Sequence, residues 1–150
     1  METKQHLTKI GLASDHAGLK MKEHIRTYLN TKNIPSIDYG TYSTESASYA
    51  LYGHKLAEAV ETGEVQKGIA VCGSGNGVNM ALNKHRNIRS ALCWNEEIAR
   101  LAREHNDANV LALPGRFLAP DLAERIVDTF LTAHFEGGRH QERVEAIEME

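Results

Sequence analysis

The stretch KGIAVCGSGNGVNM, residues 67–80, decides how this chain is read. Residues 67–73 form a short, almost unbroken apolar run, the pattern of a strand buried on both faces. Cys72 stands near its end, and Gly73, Gly75 and Gly77 follow at alternate positions. A helix opens within 76–85. Glycine gives up the most backbone freedom on folding, so three in five residues predict that something comes close to that backbone. Amides exposed ahead of a helix make an anion cradle. Strand, glycine loop and helix in that order form half of an α/β unit.

The same alternation runs outward in both directions. KIGLAS (9–14) reads as a strand ending at Asp15-His16, followed by helical spacing with Leu19, Ile25 and Leu29 on one face. SIDYG (36–40) is a second, short strand, and a helix is expected from about 48 to 62, ending near Gly63. RSALCW (89–94) is a fourth strand. NEEIARLAREH then opens a helix at Asn95, with Glu96 and Glu97 in the first turn to complement the dipole. NVLALPG (109–115) is the fifth strand. In 120–134, Leu122, Ile126 and Phe130 recur at i+4, with Ala123, Val127 and Leu131 beside them. Gly137-Gly138 break the chain, and a last helix is expected over 139–148. Five strands alternating with helices predict an α/β fold, a Rossmann-like five-stranded parallel sheet with helices on both faces, in one domain over 1–150. The last helix has little apolar surface of its own, and it is expected to reach a partner subunit.

Bulk properties narrow the classes of function. The formal net charge is −3 and no basic stripe appears, which argues against nucleic acid. No apolar run approaches the ~20 residues that span a bilayer. The start, METKQHLTKI, lacks a signal-peptide core, so a cytoplasmic setting is expected. Two cysteines are too few for a disulfide framework. Eight histidines show no H-E-x-x-H pairing, so neither a metal nor a cofactor is expected.

Ligands of such folds bind outside the carboxyl ends of the strands. Asp15, His16, the loop from Cys72 to Gly77 and Arg116 all fall there. The loop is not a phosphate-binding G-x-x-x-x-G-K-[ST] sequence. It is also a poor dinucleotide fingerprint: the spacing is G-x-G-x-G, Val78 stands in place of the third glycine, and the loop follows the third strand. A helix N-terminus lowers a thiol pKa, so Cys72 could act as a thiolate base on a carbon acid, with loop amides holding the oxyanion. A small buried core thiol fits the same position. Cys93, mid-strand, reads as core. His105 and Asn106 end a helix, where the histidine either caps the dipole or shuttles protons. Arg139 and Arg143, four apart, either grip a phosphate or form a solvated face.

Taken together, SDHAG, GTYSTES, CGSGNG, NKH, REHNDANVL and FEGGRHQERV resemble the type B ribose-5-phosphate isomerases, a family that includes galactose-6-phosphate and allose-6-phosphate isomerases. The likeness runs from about 9 to 147. It implies a metal-free aldose–ketose isomerase acting on a sugar phosphate, ribose 5-phosphate first, as a homodimer or dimer of dimers with the active site between subunits. It implies Cys72 as the base that moves a proton between C1 and C2 through a cis-enediol, with Ser74 assisting. The amides of Gly73, Gly75, Asn76 and Gly77 would hold the enediolate. His105, with Asp15, would open the furanose ring. Asn106 and Tyr49 would line the sugar site. His16, Arg139 and Arg143 would hold the phosphate, with Arg116 adding charge. Some members replace the cysteine by a glutamate late in the glycine loop, where this chain has Val78. Many members read Asp-Tyr-Pro where this chain reads Ser48-Tyr49-Ala50, a departure that puts the choice of sugar in question.

Overall fold

The structure, a computed structural model, describes residues 8–149. The opening residues 1–7, read above for a leader, and residue 150 lie outside the described residues. Five strands form one sheet: β1 (Ile10–Ser14), β2 (Ser36–Asp38), β3 (Lys67–Cys72), β4 (Ser90–Leu92) and β5 (Val110–Pro114). Every neighbouring pair is parallel, in the order β2-β1-β3-β5-β4. The connecting helices are α1 (Leu19–Thr31), α2 (Tyr49–Glu61), α3 (Asn76–Leu82), α4 (Glu96–Asn106) and α5 (Pro120–Thr132), and α6 (Arg139–Glu145) follows. Among the described residues no helix is long and apolar enough to cross a membrane.

The two faces of the sheet differ in side-chain size. Ile10, Leu12, Ile69, Val71, Leu111 and Leu113 alternate onto the face covered by α1, α4 and α5, where Ile25, Leu29, Ile126 and Phe130 meet them. Ala13, Ala70, Cys72 and Ala112 point to the face under α2 and α3. Small residues there let α2 sit close. A Cβ on Gly11 would come within 2.6 Å of Leu56 Cδ1, and one on Gly68 within 3.0 Å. Burying a side chain such as Leu56 stabilises the fold by roughly 1.5–3 kcal/mol.

Strand β2 pairs on one side of β1, and β3 pairs on the other. The chain therefore reverses its direction of growth at β1, which opens a crevice between the carboxyl ends of β1 and β3. The loop leaving β1 touches β3 itself: a Cβ on Gly18 would lie 2.3 Å from the Val71 carbonyl oxygen. Only glycine fits there.

Two features go beyond the sequence reading. Lys22, on α1, is fully buried. Its ammonium donates to Asp38 Oδ1 at 2.7 Å and to the Thr41 carbonyl, and lies 5.1 Å from the centre of the Tyr42 ring. It ties α1 to the loop after β2. Helix α6, read as lacking an anchor in its own domain, has one: His140 and Val144 are buried, and the helix packs on α4. Its exposed face carries Arg139 and Arg143.

Candidate active site

Cys72 ends β3 beside the crevice, 4% exposed. Its carbonyl accepts from Gly115 N–H at 2.9 Å, and the Gly73 carbonyl accepts from Arg116 N–H at 3.0 Å. These bonds tie the glycine loop to the end of β5 and bring Arg116 over Gly73. The three glycines serve the protein's own packing as well as any ligand. Gly75 has φ +78°, a left-handed conformation that favours glycine. A Cβ there would also strike Leu92 at 2.5 Å. At Gly77 it would strike the Tyr49 ring at 2.7 Å, so Tyr49 lies flat against the loop. Ser74 is exposed, and its Oγ accepts from Asn76 N–H at 3.2 Å.

The β1 loop supplies the other wall. Asp15, 6% exposed, accepts from Gly18 N–H at 2.8 Å through Oδ1, which closes the turn. His16 Nδ1 accepts from Ala47 N–H at 3.1 Å. A backbone amide can only donate, so the ring proton sits on Nε2, and His16 offers a donor rather than an acceptor at its free nitrogen. Ser48 also has a task. Its side chain caps α2 by accepting from Leu51 N–H at 3.2 Å. An aspartate at that position is an equally good N-cap. The Ser48 departure thus has a helix-capping explanation that does not involve the sugar.

Cys93 contrasts with Cys72. It is fully buried, and desolvation pushes its thiol up to about 12, so it is inert at neutral pH.

The remaining candidates lie at the opposite edge of the sheet. In a parallel sheet, a helix that follows one strand and precedes the next starts at the carboxyl edge and ends at the amino edge. Helix α4 starts at Asn95, just after β4, so His105 and Asn106 fall at the amino edge. Helix α6 joins them there. Glu136 N–H donates to the Glu104 carbonyl at 3.0 Å, and the His140 ring stacks on His105 with centroids 4.2 Å apart. Within one chain, His105, Asn106, Arg139 and Arg143 are not brought to Cys72, Asp15 or His16.

Sequence reasoning missed a cluster at this edge. His105, Glu136 and His140 place one ligand-type atom each within 4.8 Å of one another. The two rings are nearly parallel, at 13°. Imidazole lone pairs lie in the ring plane, so these run side by side instead of converging on one ion. The geometry is that of a stacked pair. Burial first, then the charges of His105 and Arg139, holds His140 below the usual histidine pKa. The signal was the HQER run itself, but its partner lies 35 residues upstream.

Residues 10–147 match the ribose/galactose isomerase family. The chain belongs to that family. It is 45% identical over 141 residues to ribose-5-phosphate isomerase B of Escherichia coli, covering 94% of this chain and 95% of that one. The solved structure of a ribose 5-phosphate isomerase from Thermotoga maritima superposes with a TM-score of 0.93 at 48% identity, covering 95% and 98% of the two chains. That of ribose-5-phosphate isomerase B from Mycoplasma genitalium, with bound ribulose-5-phosphate, gives 0.88 at 41% identity and covers 93% of each. Within this isomerase family, the crevice between β1 and β3 is where Cys72, Asp15 and His16 of this member meet.

Proposed function

We propose that this chain is an aldose–ketose isomerase that interconverts D-ribose 5-phosphate and D-ribulose 5-phosphate in the cytoplasm. The observation that carries the reading is Cys72 at the mouth of the β1–β3 crevice, on a glycine loop, in a member of this isomerase family. Cys72 takes the proton from C2 of the open-chain aldose and returns it at C1. The oxygens of the enediolate face the Gly73–Gly77 backbone and Ser74, which offset the developing charge. Proton transfer of this kind contributes roughly 10²–10⁴-fold to rate.

The split between sheet edges supports a site shared by two copies of the chain. One copy supplies Cys72, Ser74, Asp15, His16, Tyr49 and Arg116 from its carboxyl edge. The second supplies His105, Asn106, Arg139 and Arg143 from its amino edge. His105 and Asp15 then open the furanose ring by acid–base transfer, and His16 with the arginines holds the phosphate. Tyr49, Leu51 and Met80, large apolar residues exposed on α2 and α3, give the second copy a surface to cover.

A coupled assay for ribulose 5-phosphate formation with EDTA present, on wild type and Cys72→Ala, tests the reading. Metal-independent turnover that falls by about 10² or more in the variant is expected. A Cys72→Ala protein with full turnover would remove the proposed base.

A further inference from the structure

Helix α6 turns one residue of its phosphate-gripping segment inward. Arg139 and Arg143 are exposed, while His140 between them is 6% exposed and lies flat on His105. Neither the base chemistry at Cys72 nor the phosphate grip uses this ring.

We propose that His140 is a positioning residue for His105, a flat platform that holds the ring-opening imidazole in one orientation. The proposal rests on the reading of His105 as the acid–base group of ring opening.

Three observations carry it. First, His105 stands one residue from the end of α4, where a lone side chain would move among several rotamers. A group that passes a proton to the furanose oxygen must stay within hydrogen-bond reach, and ~1 Å of displacement can cost about 10²-fold in rate. The stack, 4.2 Å between centroids and 13° between planes, fixes the ring plane. Second, His140 is itself held: its backbone N–H donates to the Gly137 carbonyl at 3.0 Å, and Val144 one turn on is buried. Third, its surroundings weigh against a charge on it. Burial, His105, Arg139 and Arg143 all disfavour its cation, and only Glu136, with Oε2 3.7 Å from Nε2, pulls the other way. The ring that His105 stacks on is thus disposed to stay without a like charge beneath it.

Ring opening can be separated from enolisation. Ribulose 5-phosphate has O5 esterified, so it cannot close a five-membered ring. Exchange of its C1 hydrogen in D2O, followed by NMR, needs the Cys72 step but no ring opening. We expect His140→Leu to slow ribose 5-phosphate turnover by about tenfold or more while C1 exchange stays within about threefold. His140→Phe, flat but without a titrating proton, restores most of the turnover. The His105 Hε1 signal of the free protein loses its ring-current shift in His140→Leu and keeps one in His140→Phe. If the leucine variant does not fold, His140→Met takes its place in all three readouts. Unchanged turnover in the leucine variant, equal loss of turnover and exchange, an unmoved Hε1 signal, or a phenylalanine variant no better than leucine each overturns the proposal. His105→Asn serves as the control. If it depresses C1 exchange as much as turnover, the ring-opening role of His105 fails, whatever His140 does.

Discussion

Cys72 and Cys93 place the same side chain in two settings, one at the end of a strand beside a crevice and one sealed in the core. The sequence distinguished them by position alone: one precedes a glycine loop, the other sits mid-run. The Cys93 thiol is raised from 9.0 to about 12 by burial. Between those values the unfolded chain releases its proton and the folded chain keeps it. Stability is therefore fully present below the ordinary thiol value and declines as pH rises, by at most about 1.4 kcal/mol per pH unit. Urea midpoints measured from pH 8.5 to 10.5 should fall more steeply for wild type than for Cys93→Ala. Equal slopes would mean that this thiol does not report on folding. Arg139 and Arg143 were legible as a pair from their spacing, because helix geometry is local. A charge-assisted contact contributes roughly 1.5–3 kcal/mol, so Arg139→Ala or Arg143→Ala should raise KM by about tenfold or more, with a smaller change in kcat. An unchanged KM in both would make them a solvated face. His140 and Lys22 were not legible, since their roles depend on partners at a distance: His105 for one, Asp38 and Thr41 for the other.

At the level of elements, the five strands and six helices of the described residues stand where apolar runs, caps and glycine breaks put them, mostly with shorter ends. The runs 36–40 and 89–94 yield only Ser36–Asp38 and Ser90–Leu92 as strand, because both lie at the sheet edges and pair on one side only. Helix α3 opens within the expected window, runs Asn76–Leu82 and is followed by turns through His85. What periodicity could not supply was which strand face would carry small residues, since central strands are apolar on both sides. The contact between the β1 loop and strand β3 was equally hidden. Gly18→Ala tests it, because the added methyl meets the Val71 carbonyl, a backbone atom that cannot turn aside. Overpacking of this kind costs roughly 1–3 kcal/mol. A thermal midpoint several degrees lower is expected, together with reduced turnover as Asp15 and Cys72 shift apart. A midpoint equal to wild type would show that the β1 loop can move away from β3 freely.

For the whole molecule, the order of strand and helix already placed the end of α4 at the amino edge. The sequence could therefore have shown that His105 and Cys72 do not meet within one chain. What it could not show was how two chains face each other. Mixing Cys72→Ala with His105→Asn protein, after dissociation and reassembly, tests the shared site. Half the sites in a mixed dimer then combine a wild-type cysteine with a wild-type histidine, so random pairing should restore about a quarter of wild-type activity. A mixture as inactive as its parents would mean that each chain works alone. If the proposed shared site holds, the separation of the two edges also makes the rate depend on concentration. A lone chain would then hold the proposed base without the proposed ring opener, so dilution below the dissociation constant of such a dimer should extinguish turnover rather than merely slow it. Specific activity then becomes a gauge of association, constant in concentrated solution and falling in proportion to protein once most chains are alone.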